Sequence, residues 1–230
     1  MQFPILDETV KVAIVLASLL FLSIWAYRKK SLDKEGVLFA NIIGLLSYYL
    51  AGLGAYAVIV ILFLVTEFST RFGRRSKKVT YEKRNISNVL GNLGAPIISL
   101  VLGSKIAFFG AVSAALADTM SSEIGVTSKK PPVLLTDWSK KVEAGTDGGI
   151  TVKGTLAAVA GSAIIAAISY YFLHGLIQAI IVFIAGVMGQ FADSFFGAMF
   201  ERKNKLSNTQ VNFLGSASGA LIAFALGTLI

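Results

Sequence analysis

Apolar runs long enough to cross a lipid bilayer constrain this chain more than any other feature of its sequence. A membrane-spanning helix needs about 17–25 predominantly apolar residues. Segments of this kind, some of them short, occupy residues 9–27, 36–50, 52–70, 86–103, 105–120, 154–172, 176–199 and 210–230. We therefore expect one all-α domain over residues 1–230, a polytopic transmembrane bundle of about eight helices, within a range of six to nine.

The composition excludes several other classes of protein. With 55% hydrophobic and 15% charged residues, the chain has too little charge to cover a water-soluble surface. The first apolar run is not a secretory signal, because acidic residues precede it and no small-residue cleavage site follows it. The absence of cysteine excludes disulfides and thiolate metal ligands. The lone His174 lies in a short polar break and is expected to be a loop residue rather than a catalytic one.

The distribution of basic residues predicts the orientation in the membrane. The longer connections are 28–35, 71–85, 121–153 and 200–209, and every Lys and Arg except Lys11 and Lys105 lies in or beside them. Eight alternating helices place all four connections on one side, which the positive-inside rule makes cytoplasmic, with both termini outside. The net charge of +8 then reflects topology rather than a nucleic-acid partner.

Connection 71–85 is therefore predicted to be a basic cytoplasmic loop. Such a run commonly binds anionic lipid headgroups. Its last two cations, Lys83 and Arg84, could instead hold phosphate groups, because they immediately precede a polar motif on the next helix. The sequence leaves both roles open.

Two aspartates lie inside apolar helices and are candidates for chemistry. Asp118 shares a helix face with Thr119 and Ser122, and Asp193 is followed by Ser194. A carboxylate in a membrane helix is unfavourable unless it is paired, hydrated or metal-bound, so both are functional candidates. The structural alternative is a carboxylate at the membrane surface or in an ion pair with a basic loop.

Two asparagine pairs repeat the same spacing. Asn88 and Asn92 lie four residues apart on one helix face, as do Asn208 and Asn212. Hydrogen bonding between helices is the structural alternative to substrate binding. The similarity of the two asparagine segments, and of Ala-Asp-Thr at 117–119 to Ala-Asp-Ser at 192–194, would also suit a bundle of two related halves. Together with the aspartates, Glu123 and Asp147, these groups suit Mg²⁺.

A glycine-rich run lies near the end of the cytoplasmic loop 121–153. Gly145-Thr146-Asp147-Gly148-Gly149 would let the backbone approach an anion closely, Lys153 would add a cation, and Thr155 could cap the next helix. The run lacks the spacing and the Gly-Lys-Ser/Thr ending of a Walker A loop. A plain turn followed by a helix cap explains the same residues equally well.

In combination these motifs resemble the integral-membrane family of transmembrane protein 19, which includes the plant phytyl-phosphate kinases. The resemblance covers roughly residues 80–220. It rests on Arg84-Asn85-x-x-Asn88-Val89-Leu90-x-Asn92, Ala117-Asp118-Thr119-x-x-Ser122-Glu123-Ile124-Gly125, the glycine run with Gly154-Thr155, Gly189-x-x-x-Asp193-Ser194-x-x-Gly197-Ala198 and Asn208-x-x-x-Asn212. The sequence departs from the family at Asp147, where Asn is frequent, and at Met120-Ser121, where Trp-Ala is frequent.

The resemblance implies a kinase that transfers a phosphoryl group from CTP or another nucleotide to an isoprenyl monophosphate lipid, with Mg²⁺ as cofactor. Positioning, metal and cations dominate the catalysis of such a reaction. The implied catalytic and metal-binding residues are Asp118, Glu123 and Asp193. The implied substrate-binding residues are Arg84, Asn88, Asn92, Ser122, Gly145, Thr146, Asp147, Gly148, Gly149, Lys153, Ser194, Asn208 and Asn212.

Three other functions fit the same residues. A membrane cytidylyltransferase would use similar contacts to make a CDP-lipid and release pyrophosphate. A transporter would also carry intramembrane acids in glycine-rich helices, although near the centre of the bilayer. A scaffold would lose only stability when both aspartates are changed. A homodimer is an alternative to the monomer that the sequence does not decide.

Overall fold

A computed structural model describes residues 7–74 and 84–229, and it is predominantly helical. Most of the predicted basic loop, residues 75–83, lies outside the described residues. The described part contains seven α-helices, one fewer than the predicted eight and within the expected range. They are α1 (Glu8–Arg28), α2 (Lys34–Arg74), α3 (Ile86–Val101), α4 (Lys105–Gly125), α5 (Val152–Leu173), α6 (Leu176–Met199) and α7 (Asn208–Gly227).

Helix α2 combines two of the predicted segments, because it bends back on itself at Gly52. The backbone there is non-helical, with φ 78° and ψ −170°, a conformation that favours glycine. Gly44 and Tyr56 would be about 18 Å apart in a straight helix, yet a Cβ at Gly44 would lie 3.4 Å from the Tyr56 ring. The first arm (34–51) and the second arm (53–74) therefore lie side by side.

The longer connections gather at one end of the bundle, which we call the polar end. The connection after α1 pairs with the residue preceding α3 through a bridge between Leu32 and Arg84. The end of α2 contacts the end of α4, where Gly73 packs against Glu123. This arrangement confirms the predicted alternation of long and short connections. The cytoplasmic location of this end stays a prediction.

Helix α4 forms the centre of the bundle and packs against α2, α3, α5, α6 and α7. Its contacts with α7 involve small residues: a Cβ added to Gly219 would lie 2.6 Å from both the Ala114 Cβ and the Gly110 oxygen. In lipid, helix association depends on close packing of this kind, because apolar side chains gain little by leaving a lipid environment.

The described helices differ in their fitness to span a membrane. Five of them, α1, α2, α5, α6 and α7, are long and apolar enough to do so, whereas α3 is apolar but shorter. Helix α1 is peripheral: Val15 and Ala26 are its only buried residues, and Leu20 and Phe21 are 64% and 67% exposed. The outer face of α1 is therefore suited to contact with lipid.

Loop 121–153 contains structure that the all-α prediction missed. Helix α4 continues to Gly125, and the loop then forms a three-stranded antiparallel sheet of order β2-β1-β3. Its strands are β1 (Val133–Leu134), β2 (Asp137–Lys141) and β3 (Gly149–Ile150). Val133 pairs with Ile150, and Leu134 is 3% exposed. The sheet fixes the glycine-rich run at the polar end.

Candidate functional site

The polar end encloses a cavity of about 330 Å³, which we call the polar cavity. It lies among the first turns of α3 and α7, the last turns of α4 and α6, and the glycine-rich run. Every predicted site residue except Lys153 lines it. These residues are Arg84, Asn88, Asn92, Asp118, Ser122, Glu123, Gly145, Thr146, Asp147, Gly148, Gly149, Asp193, Ser194, Asn208 and Asn212.

Asp118 of α4 and Asp193 of α6 form a carboxylate pair in this cavity, and their side chains interact directly. Asp193 is 9% exposed, and its Oδ2 atom is buried without a hydrogen-bond partner among the described residues. Helix α7 holds it in place, since a Cβ at Gly215 would lie 2.8 Å from this oxygen. A buried, unpartnered carboxylate oxygen calls for a cation, a proton or water.

The prediction that Asp118, Glu123 and Asp193 hold a metal ion together stays a prediction. Within the described residues, no group of three or more His, Asp or Glu is arranged to hold a metal. Glu123 follows Asp118 by five residues, about 140° around the helix, and its carboxylate accepts a 3.4 Å hydrogen bond from Thr70. Mg²⁺ commonly uses one or two carboxylates together with substrate phosphates, so the pair alone fits this ion.

Glu201 is a lining residue that the sequence analysis missed. It begins a short 3₁₀ turn (Glu201–Lys203) after α6, and its side chain contacts Asn208. The sequence signal that could have identified Glu201 was its position directly after the helix that carries Asp193. Thr119, Ser121 and Thr151 also line the cavity without having been proposed as site residues.

Asp147 lies on the rim of the polar cavity and is exposed. Partial burial raises the pKa of its carboxyl, and the nearby Arg202 guanidinium offsets part of that effect. Asp147 also lies within electrostatic range of Glu201 and Asp193. The rim therefore adds negative charge to the carboxylate pair.

Arg84 is the one Lys or Arg among the described residues that line the polar cavity. Its backbone is fixed by hydrogen bonds with the connection after α1: Arg84 donates to the Ser31 carbonyl (3.2 Å) and accepts from the Asp33 amide (3.0 Å). Its guanidinium donates to the Thr70 hydroxyl. The residue is thus held at the boundary between α2 and α3.

Lys153 does not line the polar cavity, and its predicted role in phosphate binding stays a prediction. Its side chain is exposed, and its ammonium lies 5.7 Å from the centre of the Phe72 ring. The predicted cap is also displaced, because Thr151 rather than Thr155 accepts the capping hydrogen bond of α5, from the Gly154 amide at 2.9 Å. Helix α5 begins earlier than the sequence predicted, and Lys153 falls in its first turn.

The asparagine pairs meet because α3 and α7 approach closely. A Cβ at Gly91 would lie 3.0 Å from the Thr209 carbonyl oxygen. Two hydrogen bonds join asparagines of the same helix: Asn92 donates to the Asn88 carbonyl at 3.0 Å, and Asn212 donates to the Asn208 side chain at 3.5 Å. These bonds are not the interhelical contacts proposed as the structural alternative, and both pairs face the cavity.

The glycine-rich run forms a turn that rests on the end of α6. Gly145 and Gly148 have φ values of 89° and 72°, which disfavour other residues. A Cβ at Gly148 would collide with Ala198, so the turn needs glycine for packing as well as for backbone conformation. Within the turn, the Gly149 amide already donates to the Thr146 carbonyl at 2.9 Å. A structural role for the turn is therefore established independently of any ligand.

The first turns of three helices converge on the cavity, and their partial positive charges favour anions. Helix α3 is capped by Asn85, α5 by Thr151 and α7 by Ser207. Residues from each of these termini line the cavity. The arrangement thus combines acidic side chains that can bind a divalent cation with helix N-termini and an arginine that can bind phosphate.

The fold and the cavity together define a polytopic helical membrane protein with an acidic, anion-compatible site at one end of its bundle. Residues 17–220 match the family described as "Integral membrane protein DUF92", and the chain belongs to this family of integral membrane proteins. The family-level resemblance inferred from the motifs is thereby confirmed.

Similar proteins occur in archaea and plants. The chain is 32% identical to "Uncharacterized membrane protein MJ0933" of Methanocaldococcus jannaschii, over 96% of this chain and 97% of the relative. It is 27% identical to "Protein PGR" of Arabidopsis thaliana, over 82% and 78% of the two chains. It is 24% identical to "Protein VTE6, chloroplastic" of the same plant, over 86% and 66%. No solved structure matches the chain.

Proposed function

We propose that this protein is a membrane-embedded isoprenyl monophosphate kinase, which uses Mg²⁺ and CTP or another nucleoside triphosphate to make the isoprenyl diphosphate. The observation that carries the proposal is the carboxylate pair, Asp118 and Asp193, with an unpartnered buried oxygen in a cavity that also contains Arg84. The motif resemblance to a family that includes plant phytyl-phosphate kinases supplies the substrate class.

The charge of the cavity supports a metal-dependent reaction of phosphates. Its described lining contains five carboxylic acids against one arginine, the acids being Asp118, Glu123, Asp147, Asp193 and Glu201. Such a lining repels a polyanionic nucleotide unless a divalent cation bridges carboxylates and phosphates. Asp118 and Asp193 would hold Mg²⁺, which would neutralise charge on the transferred phosphoryl group.

The proposed step is an in-line phosphoryl transfer. An oxygen of the lipid phosphate forms a bond to the γ-phosphorus, and the bond from that phosphorus to the β–γ bridging oxygen breaks, with its electron pair leaving on the nucleoside diphosphate. A phosphate monoester has a second pKa near 6, so its oxygen is an ionised nucleophile at neutral pH and needs no general base.

The protein's part in this step is to position the two phosphates. Arg84 and the N-termini of α3 and α7 would bind phosphate oxygens. Asn88, Asn92 and Asn212 would orient the nucleotide or the acceptor by hydrogen bonds. Close packing of α7 at Gly215 restricts the Asp193 carboxylate, as an electrostatically preorganised site requires.

The position of the acids favours an enzyme at the membrane surface over a transporter. Asp118 lies seven residues before the end of α4 and Asp193 six before the end of α6, about 10 Å from each helix end. A carrier needs its polar groups near the bilayer centre, accessible in turn from both sides. Here the cavity is lined by surface turns of the polar end.

The proposal includes a topology in which the polar end faces the cytoplasm and both termini lie outside. The absence of cysteine makes this easy to test, because single cysteines can be introduced without background. A cysteine in place of exposed Ser139 should react with an impermeant maleimide only in inside-out vesicles. A cysteine in place of exposed Thr9 should react only in right-side-out vesicles, and the reverse pattern would contradict the orientation.

The activity is tested with the purified full-length protein in lipid nanodiscs, supplied with phytyl or geranylgeranyl phosphate, Mg²⁺ and each nucleoside triphosphate in turn. We expect an isoprenyl diphosphate that forms with wild-type protein and is abolished by EDTA and by Asp193→Asn. If no nucleotide and isoprenyl phosphate combination yields product, the proposal is wrong. A scaffold would show no activity and lose only stability in the double Asp118→Ala, Asp193→Ala variant.

A further inference from the structure

A second internal space lies beside the polar cavity and has the opposite character. Helix α1, the two arms of α2 and α3 enclose an apolar groove of about 110 Å³. Its walls include Leu22 of α1, Val37 of the first arm, Phe63 of the second arm and Leu93 of α3. The proposed phosphoryl transfer gives the apolar part of this groove no role.

The groove and the polar cavity meet at three residues. Arg84, Asn88 and Asn92 line both spaces. A molecule with a phosphate at one end and a hydrocarbon chain at the other can therefore place its phosphate at Arg84 and its chain in the groove. The lining changes from polar to apolar at these three residues, which matches an amphiphile with a charged head and an apolar chain.

The groove has a defined depth and a closed end. Thr66 and Tyr56 line it ten residues apart on the second arm, so it extends for about 15 Å. This is about half the 30 Å hydrocarbon thickness of a bilayer, the depth of one leaflet. Tyr56, 4% exposed, lies at the far end, where its hydroxyl hydrogen-bonds to the Ser18 hydroxyl at 2.6 Å.

At the closed end, Leu19 of α1 and Gly44 of the first arm line the groove together with Tyr56 and pack closely. A Cβ at Gly44 would lie 3.0 Å from the Leu19 side chain and 3.4 Å from the Tyr56 ring. The Tyr56 ring is thus held between α1 and the first arm, and its hydrogen bond to Ser18 fixes its orientation. Removing the ring would extend the groove, whereas removing the hydroxyl alone would not.

From this geometry we infer that the apolar groove binds the chain of the isoprenyl phosphate, and that Tyr56 limits the length of chain it accepts. The inference rests on the proposed function for the identity of the lipid. Tyr56 would thus determine chain-length specificity from outside the polar cavity. The chain enters between helices whose outer faces are suited to lipid, so the substrate can reach the groove from the bilayer.

A binding measurement without nucleotide tests the inference separately from catalysis. Tritiated geranylgeranyl phosphate with a diazirine at its chain terminus is photolysed with the full-length protein in nanodiscs, and labelled peptides are mapped. We expect labelling near Tyr56 and Leu19, reduced by excess unlabelled lipid. Labelling confined to the outer face of α1, at Leu20 and Phe21, would overturn the inference.

Variants at the closed end test chain length. Tyr56→Leu should raise the affinity for a prenyl phosphate one isoprene unit longer, relative to geranylgeranyl phosphate, by about tenfold. Tyr56→Phe keeps the ring and should leave this ratio within twofold. An unchanged ratio in Tyr56→Leu, with the protein still folded by thermal unfolding, overturns the role of Tyr56.

The two proposals can fail separately. Groove labelling with no phosphoryl transfer from any nucleotide would refute the kinase and leave the groove assignment standing. Phosphoryl transfer with labelling only outside the groove would refute the groove assignment and leave the kinase standing.

Discussion

The bundle contains two regions that are built in different ways. In the α4, α6 and α7 region, glycine and alanine bring backbones together, as at Gly219 and Ala114, and this region carries both aspartates of the cavity. In the α1 and α2 region, large apolar side chains enclose a groove, and α1 buries little of its surface. Close packing fixes the two carboxylates, whereas packing between α1, α2 and α3 leaves an apolar groove.

The two regions place different demands on their residues. Positioning two carboxylates requires close helix contacts that few residues permit, so Gly215 and Asp193 constrain each other directly. A groove for a hydrocarbon chain needs only apolar side chains of suitable size. The two regions should therefore respond differently to substitution, the first through catalysis and the second through lipid preference.

The largest effect should come from the carboxylate pair. Asp193→Asn removes a buried charge at the point where a divalent cation would bind, and should lower kcat by about 100- to 1000-fold. The measurement is initial-rate product formation in nanodiscs. Asp137→Asn, on the exposed strand β2, is the matched control and should retain activity. Equal activity of the two variants would remove the pair from the mechanism.

The next effect tests close packing. In Gly215→Ala, the added methyl group meets the Asp193 carboxylate, so we expect at least about a tenfold loss of kcat and destabilisation by about 1–3 kcal/mol. Activity and thermal unfolding in detergent measure the two effects. Gly227→Ala is the control, because its methyl group would meet only the flexible Ile106 side chain. Unchanged activity in Gly215→Ala would show that α7 does not position Asp193.

A substitution at Arg84 tests phosphate binding at the boundary between the two regions. A hydrogen bond to a charged group contributes about 1.5–3 kcal/mol, so Arg84→Gln should raise KM for the lipid phosphate by at least about tenfold. Lys153→Gln is the control: its ammonium lies beside Phe72, and KM should change less than about twofold. A larger effect at Lys153 than at Arg84 would contradict the assignment of phosphate contacts.

The smallest effect concerns Asp147 on the rim. Burial raises the pKa of its carboxyl in the folded state, so the folded protein binds this proton more readily than the unfolded chain. The ionised carboxylate therefore destabilises the fold at neutral pH, and the penalty disappears as pH falls below the unfolded value of about 3.9. Asp147→Asn should unfold at a slightly higher temperature than the wild-type protein at pH 7.5. At the pH of the unfolded pKa the two proteins should unfold at the same temperature. The activity of the variant should stay within about threefold of the wild-type activity. A lower unfolding temperature at pH 7.5 would contradict the sign.

The sequence predicted the helices well because apolar segments long enough to span a membrane leave few other structures. It also identified most residues of the polar cavity, since polar groups in apolar helices are rare. The sequence predicted separate segments on either side of Gly52, and the structure has two arms that lie side by side and join at this residue. The start of α5 was predicted too late, because two threonines, Thr151 and Thr155, could each supply the cap.

Other features depend on contacts between distant segments. The small sheet pairs loop residues such as Val133 and Ile150. Polar and apolar residues alternate little in these segments, so the sequence pattern did not predict strands. The apolar groove is formed by α1, α2 and α3 together, and its lining resembles any other lipid-facing or buried surface in the sequence. The sequence alone could not place Glu201 in the polar cavity, because its position depends on how α6 and the turn after it bring it near Asp193.

The most direct test of the central claim is to follow the α- and γ-phosphates of the nucleotide separately. The wild-type protein in nanodiscs receives CTP labelled in either position, with geranylgeranyl phosphate and Mg²⁺, and the lipid products are separated. We expect the γ label to appear in geranylgeranyl diphosphate and the α label to stay in CDP. Transfer of the α label to the lipid with release of pyrophosphate would show a cytidylyltransferase and would refute the kinase.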